Sequence, residues 1–367
     1  MKILYDHQIF TEQTYGGISR YFFELANHLA LYKSEKLKVK IISPFYKNNY
    51  LADKNKNFLH KGFRFSDFKK SGALCSMINS FFSPYLSRQY DPNIIHQTYY
   101  NIMKYKNIRA KRIITIHDMI HELFPDEFLK NDNTSKLKKI AVAEADHIIC
   151  VSKNTQNDLV KLFNVDIKKT TVIYNGFSLE TKNIKIPKKP EKPYLLFVGN
   201  RKGYKNFNRF IKAYASNKIK NFFDIIIFGG GKINKDEFKM FNSLQIPSES
   251  FKYIDGNDSL LAGFYKNASL LVYPSLYEGF GIPPLEAMNC GCPVVCGNVA
   301  SIPEVVGNAA LLFDPHSVES IENNIISVLY NDKIRSSLIS EGFKQVQRFS
   351  WEKCAKETFD VYQKVLS

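Results

Sequence analysis

The chain is predicted to fold as two doubly wound α/β domains, each a parallel, Rossmann-like sheet wrapped by helices. Three observations carry this. Residues 2–31 read as a short apolar strand, a Gly16-Gly17 turn and an amphipathic helix, the opening of such a domain. Residues 178–193 contain K-I-P-K-K-P-E-K-P, with little apolar content, and mark an exposed linker. Residues 194–199 then start a second series of strand, loop and helix, and 367 residues with 44% hydrophobic content suffice for two cores. The predicted divisions are 1–177, the linker 178–193, 194–350, and a last helix at 351–367.

In the first half, residues 2–5 form a strand and residues 18–31 a helix, with Ile18, Phe22, Leu25 and Leu29 at helical spacing. Ligands of such domains sit beyond the strand C-termini. The G-G pair lacks the full G-x-G-x-x-G pattern, so NAD binding is not read from it. Arg20, one turn into the helix, is within reach of phosphate or acceptor, or pairs with an acid. A second strand covers 38–43. Residues 45–70 are irregular and interleave bases with aromatics, among them Tyr46, Lys56, Lys61, Phe63, Arg64 and Phe68. That mixture suits either a long loop with its own small core or contact with an anionic lipid surface. Further strands fall at 94–96 and 112–117, the second ending in T-I-H-D-M-I-H-E. His117 and Asp118 are thereby delivered to a strand end. The His117/His121 spacing followed by Glu122 is not the H-E-x-x-H order of a zinc helix. A helix at 135–145, a strand at 147–151, a helix capped by Ser152 and running to Phe163, and a strand at 171–174 complete this half.

In the second half, the strand at 194–199 leads into N-R-K-G-Y-K-N-F, with Lys205 and Asn206 before a helix running to about residue 215. Lysine there is a point charge for phosphate. The strand at 224–228 ends in three glycines and Lys232 but has no P-loop pattern. The strand at 251–254, a helix at 258–265 and the strand at 270–273 follow. Gly279 and Gly281 then form a loop that opens onto a helix at Pro283-Pro284, since proline fits the first helical turn. A loop of small residues opening onto a helix N-terminus is an anion site. Glu278 and Glu286 flank it, and each carboxylate accepts hydrogen bonds from neighbouring hydroxyls. Diphosphate between sugar and ribose diols fits that arrangement, so the residues describe a nucleotide-sugar pocket. A late strand lies at 310–313, helices at 317–330 and 332–347, and Phe349-Ser350-Trp351 breaks the run before the last helix.

E-G-F-G-I-P-P-L-E, with its glutamates eight positions apart, resembles the signature of the retaining glycosyltransferases of family 4, which have the GT-B fold. G-C-P-V-V and S-I-P-E-V resemble that family too, and the likeness covers nearly the whole chain, strongest over 194–352. The resemblance implies an interdomain cleft and a last helix crossing back to the first domain. It implies that Gly17 faces the donor diphosphate and that His117 contacts donor sugar and acceptor. It places the nucleotide near Tyr253 and Ile254, and Gly279, Phe280 and Gly281 in the donor loop, with Glu278 on the sugar hydroxyls and Glu286 on the ribose. Lys205 matches the family's lysine. The family's arginine position holds Asn200, with Arg201 one later and Lys202 competing for the phosphate role. Arg20 and Asp118 fall on the acceptor side. The family is thought to let the leaving phosphate take the acceptor proton, so no protein nucleophile is assigned. The segments H-D-M-I-H-E and G-N-R-K-G-Y-K-N look most like O-antigen mannosyltransferases, favouring GDP-mannose over a UDP-sugar as donor. A glycan or lipid-linked glycan is the expected acceptor. A nucleotide-sugar 2-epimerase of the same fold and a non-catalytic membrane-surface scaffold are the alternatives.

Composition sets the remaining bounds. The net charge is +16, and residues 1–177 hold 27 Lys and Arg against 16 Asp and Glu. Nucleic acid, an anionic membrane, a phosphorylated acceptor or a solvated lysine-rich face with no partner would each match that excess; the nucleotide-sugar loop argues against nucleic acid. No run of 18 apolar residues exists, and residues 1–5 are too short for a signal peptide, so a cytoplasmic protein, with or without peripheral membrane contact, is expected. Cys290, Cys292 and Cys296 cluster without a fourth zinc ligand nearby, and no D-x-D motif accompanies the pocket. Metal-independent transfer is therefore expected, with Lys205 and helix N-termini offsetting the leaving-group charge.

Overall fold

The structure, a computed structural model, describes residues 1–32, 37–53, 55–66, 71–100, 108–179, 192–201 and 203–367. Contacts divide the chain into two units, Met1–Gly176 with Ser350–Ser367, and Phe177–Phe349. Most of the linker, 180–191, and Lys202 lie outside the described residues.

The first unit carries strands β1 (Lys2–Tyr5), β2 (Lys38–Ile41), β3 (Phe45–Tyr46), β4 (Leu59–His60), β5 (Phe63–Arg64), β6 (Ile94–Gln97), β7 (Lys111–Ile116), β8 (His147–Cys150) and β9 (Thr170–Val172). Seven form one parallel sheet in the order β4-β2-β1-β6-β7-β8-β9, and β3 pairs with β5 alone. Side chains alternate across each strand. Ile3 and Tyr5 enter one core while Leu4 enters another, and Ile113 faces away from Ile114 and Ile116. Both faces are thus covered, as a parallel sheet requires.

The helix Trp351–Leu366 belongs to this unit. Trp351, Cys354, Ala355, Val361 and Tyr362 line one side of it and join the core of helix Gly17–Ala30. Phe359 stacks on Tyr32 at 5.6 Å. Each large apolar side chain so buried stabilises the unit by about 1.5–3 kcal/mol. The end of the chain therefore completes the first core, as the sequence led us to expect.

The second unit carries β10 (Tyr194–Val198), β11 (Asp224–Phe228), β12 (Phe251–Ile254), β13 (Leu270–Tyr273), β14 (Val294–Gly297) and β15 (Leu311–Phe313). They form a parallel sheet in the order β12-β11-β10-β13-β14-β15. The order reverses between β10 and β13, so the loops after these two strands part to opposite faces and leave a crevice. In the first sheet the reversal lies between β1 and β6.

Two segments differ from the sequence reading. No element was assigned to 71–90, yet Ser71–Tyr90 is one helix with Pro84 inside it. Its buried face is formed by Ser71, Cys75, Asn79, Ser83 and Ser87, mostly small and polar, so no apolar core-facing stripe announces it. Only part of the 45–70 segment is irregular. Tyr46, Leu51 and Phe58 are buried in the first core, whereas Phe63 is 75% exposed. Lys54 and residues 67–70 are outside the described residues.

Candidate active site

The loops after β10 and β13 bring the central motif together. Lys205, in a short 3-10 turn after β10, donates from Nζ to Glu278 Oε1 at 2.7 Å. Ser275 Oγ donates to the same oxygen at 2.6 Å, and the Tyr273 hydroxyl is also hydrogen-bonded to Glu278. The Lys205 ammonium lies 5.3 Å from the Tyr204 ring centroid and 5.7 Å from that of Tyr273. Asn206 Nδ2 donates to the carbonyls of Pro274 and Pro315, and Leu276 N donates to Tyr204 O. Two loops far apart in sequence are thus stitched together across the strand-order reversal. A cation and a carboxylate held so close, with side chains 17% and 10% exposed, form a pre-organised charge pair.

The loop then turns into helix Ile282–Asn289. Gly281 caps it at φ 101°, a left-handed backbone that glycine adopts without strain, and Pro283 sits in its first turn. Ser301 Oγ donates to the carbonyls of Glu278 and Phe280 and so fixes the loop from beneath. Glu286 is on the buried side of the helix, where it accepts from the Tyr265 hydroxyl at 3.2 Å. Gly279 is buried in the same loop. The Phe280 ring is buried too, edge-on to Phe349 at 5.6 Å.

Arg201 is committed elsewhere. Its guanidinium forms a fork with Glu237, Nε to Oε1 at 2.7 Å and Nη2 to Oε2 at 3.1 Å. It also donates to the carbonyls of Gly229 and Lys232. Four of its five donors are thereby taken, and the residue clamps the glycine turn after β11. That turn needs glycine: a Cβ on Gly230 would stand 2.4 Å from the Gly199 carbonyl. Glu237 belongs to helix Lys235–Ser243, whose capping box with Asn234 was not read from the sequence. Tyr253 and Ile254 end the edge strand β12, partly buried, and the Ile254 carbonyl accepts from Gly229 N.

In the first unit the strand ends gather a second group. Asp6, after β1, is buried and accepts from Thr98 N, Thr98 Oγ1 and Gln8 Nε2, so it ties together the loops after β1 and β6. Burial raises its pKa above the usual aspartate value. The sequence reading passed over Asp6; its position right after the first strand was the available signal. Gly17 opens helix Gly17–Ala30, and a Cβ there would meet nothing within 4 Å. Arg20 is half-buried one turn further on.

His117 follows β7 and lies edge-on to the Tyr21 ring at 4.9 Å. Its Nε2 has no hydrogen-bond partner among the described residues. Burial, then the nearby Lys138 charge, lowers its pKa to about 3, so the ring is neutral. Beneath it, His96 is held between the Tyr362 hydroxyl at Nδ1 and Thr115 Oγ1 at Nε2. Asp118 Oδ1 accepts from Ile120 N and shapes the turn after β7.

Burial pushes the Cys290 thiol up to about 12 and those of Cys292 and Cys296 higher, the environment of inert core thiols. Among the described residues no group of three or more His, Cys, Asp or Glu is placed to hold a metal ion.

The chain is similar to known proteins along most of its length. O-antigen chain mannosyltransferase B of Escherichia coli is 28% identical over 274 residues, 69% of this chain and 70% of that protein. O-antigen chain mannosyltransferase RfbU of Salmonella typhimurium is 32% identical over 217 residues, 59% of this chain and 60% of that one. Alr3699/HepE of Anabaena, solved in complex with UDP and glucose, has the same fold, with a TM-score of 0.75 over 99% of this chain and 100% of that one at 18% identity. The Glycosyltransferase Family 4 model matches residues 15–181 and the Glycosyl transferases group 1 model matches residues 179–345. On this GT-B architecture the chain carries a Glycosyltransferase Family 4 domain followed by a Glycosyl transferases group 1 domain, which between them span residues 15–345.

Proposed function

We propose that this glycosyltransferase moves a hexose, mannose first, from a nucleotide-sugar to a glycan or lipid-linked glycan during synthesis of an O-antigen-like surface polysaccharide, with retention of configuration. One observation carries the reading: the Lys205–Glu278 pair at the strand-order reversal of the second unit, immediately before the Gly281-capped helix. The mannosyltransferase names of two relatives support the sugar. The bound UDP of the Anabaena neighbour keeps a UDP-sugar as competitor.

In this mechanism the bond from the anomeric carbon to the diphosphate breaks as the acceptor hydroxyl oxygen bonds to that carbon, negative charge grows on the leaving phosphate, and that phosphate takes the acceptor proton. Lys205 and the amides at the Gly281 helix start stabilise that charge, and their geometry is set before the reaction. Glu278 holds the sugar hydroxyls, Glu286 the ribose, and the ends of β11 and β12 the base. Neutral His117 orients donor sugar or acceptor, and Asp118, Arg20 and Gly17 serve the first-unit side. Transfer proceeds without a metal, so a chelator leaves its rate unchanged.

A thermal-shift series with GDP, UDP and their sugars tests the donor. The accepted nucleotide at 100 times its Kd adds about 2.7 kcal/mol to the folded state and raises Tm. Mass analysis of donor incubated alone separates the alternative, because a 2-epimerase changes the sugar without an acceptor. No shift with any nucleotide would sink the proposal.

The partner surface we assign to an anionic membrane. Helix Ser71–Tyr90 exposes Leu74, Met77, Phe81 and Tyr85 along one line, at 37%, 67%, 79% and 60%. Beside it a cavity of about 720 Å³ is lined by Phe45, Lys56, His60, Lys61, Phe63 and Phe82. Aromatic rings suit the headgroup region, and each nearby base adds about 1 kcal/mol on an anionic surface. Among the described residues no helix is long and apolar enough to cross a membrane. Co-sedimentation with phosphatidylglycerol vesicles is expected to fall at least tenfold for Met77→Glu/Phe81→Glu and to weaken with salt. Equal sedimentation of variant and parent would refute this surface.

A further inference from the structure

Lys138 lies in helix Thr134–Glu144 and is wholly buried. Its ammonium donates to the Asp118 carbonyl at 3.0 Å and to Glu122 Oε2 at 2.7 Å, and lies 5.2 Å from the Tyr100 ring centroid. One cation therefore ties both ends of the turn that follows β7. Burying an ammonium costs several kcal/mol, and an apolar side chain of similar length fills such a site at less cost. A charge kept there calls for a purpose beyond packing.

Around the same turn, three buried polar atoms have no hydrogen-bond partner among the described residues: His117 Nε2, His121 Nδ1 and Glu122 Oε1. Buried polar atoms in native proteins are almost always paired, so these three have bonding capacity left for a water or a ligand hydroxyl. We propose that Lys138 is the positioning residue of this turn: by holding Glu122 and the Asp118 backbone it presents His117 Nε2 and the second Glu122 oxygen to a sugar hydroxyl. The kinetic half of this rests on the transferase reading above. The groups around His117 are Tyr21 and Phe22 from helix Gly17–Ala30, His96 from β6, Tyr100 after β6 and Lys138. Lys138 is the cation among them, so its loss also raises the proton affinity of the ring.

The test uses Lys138→Met and Lys138→Arg in the full chain, with circular dichroism and Trp351 fluorescence to verify folding. Ring titration of His117 is followed by NMR, assigned with His117→Asn, and kcat and KM are measured across pH. Lys138→Met is expected to lower kcat at least tenfold with KM within about threefold, and to move both the His117 titration and the acid limb of kcat to higher pH. Lys138→Arg keeps the charge but changes the reach, so it lowers kcat without moving the titration. That variant decides the matter if the methionine chain does not fold. Unchanged kcat in either folded variant overturns the positioning role. If the parent itself transfers no sugar, the transferase reading has failed; an unmoved His117 titration in Lys138→Met then overturns the Lys138 proposal on its own.

Discussion

Lys205→Ala is expected to lower kcat for sugar transfer about 10²–10³-fold, the usual loss when one pre-set donor to a developing negative charge is removed. The lysine is held at 2.7 Å from Glu278 before any donor arrives, so no reorganisation is needed when charge builds on the leaving phosphate. Removing it also strands a carboxylate whose side chain is only 10% exposed, with the neutral hydroxyls of Ser275 and Tyr273 as remaining partners. The pair is neither fully dry nor fully wet, so the stability loss falls between the extremes for exposed and buried pairs, about 2–3 kcal/mol. Glu278→Gln should cost a similar factor in rate. The double variant Lys205→Ala/Glu278→Gln should regain stability but not activity, and its rate loss should be well below the product of the single losses, because the two residues act as one unit. A Lys205→Ala enzyme with parental kcat/KM on the correct donor would refute the assigned role.

Acid should destabilise the first unit before it titrates ordinary carboxylates. Burial lowers the pKa of His7 and His60 to about 4 and that of His96 and His117 to about 3. In the unfolded chain each titrates near 6.5. Between these values the unfolded chain takes up protons that the folded chain refuses. Stability is therefore at its full value above pH 6.5 and declines as pH falls toward 4. At pH 5 the loss is about 2 kcal/mol for each of the fully buried rings of His7 and His96, set against a typical total of about 5–15 kcal/mol. Asp6 acts in the opposite sense: its raised pKa favours the folded state in acid, and that gain is lost as pH rises. One carboxyl does not offset four imidazoles. Trp351, the single tryptophan, lies in this unit's core and reports its unfolding. The urea midpoint is expected to drop between pH 7.5 and pH 5, with His96→Gln removing about one ring's share of the drop. A midpoint that stays level across that range would contradict the buried neutral histidines.

Local chemistry sufficed for much of the architecture. Apolar runs gave most of the sheet strands, Ser152 announced its helix by a side chain that caps Thr155 N, and the small-residue loop before Pro283 gave the helix that Gly281 caps. The last segment was read as a helix, and the family resemblance, not its own spacing, implied that it packs on the first unit. The helix Ser71–Tyr90 escaped because the face it buries is built from serines, Cys75 and Asn79 and not from large apolar side chains.

The sequence by itself determined the repeating β/α pattern, the motif loop and the identity of the charged residues around it. Only the tertiary structure decided which charges meet. Lys205 and Glu278 are 73 positions apart and pair because β10 and β13 are neighbours at the order reversal. Arg201, equally plausible beside a phosphate when read along the chain, is instead captured by Glu237 from the helix after β11. Lys138 reads as one more lysine on a solvated helix until the fold buries it against Glu122. The physical reason is common to all three. Periodicity and capping are interactions within a few residues, whereas an ion pair is chosen by whichever side chains the strand order brings within about 3 Å in a space that excludes water.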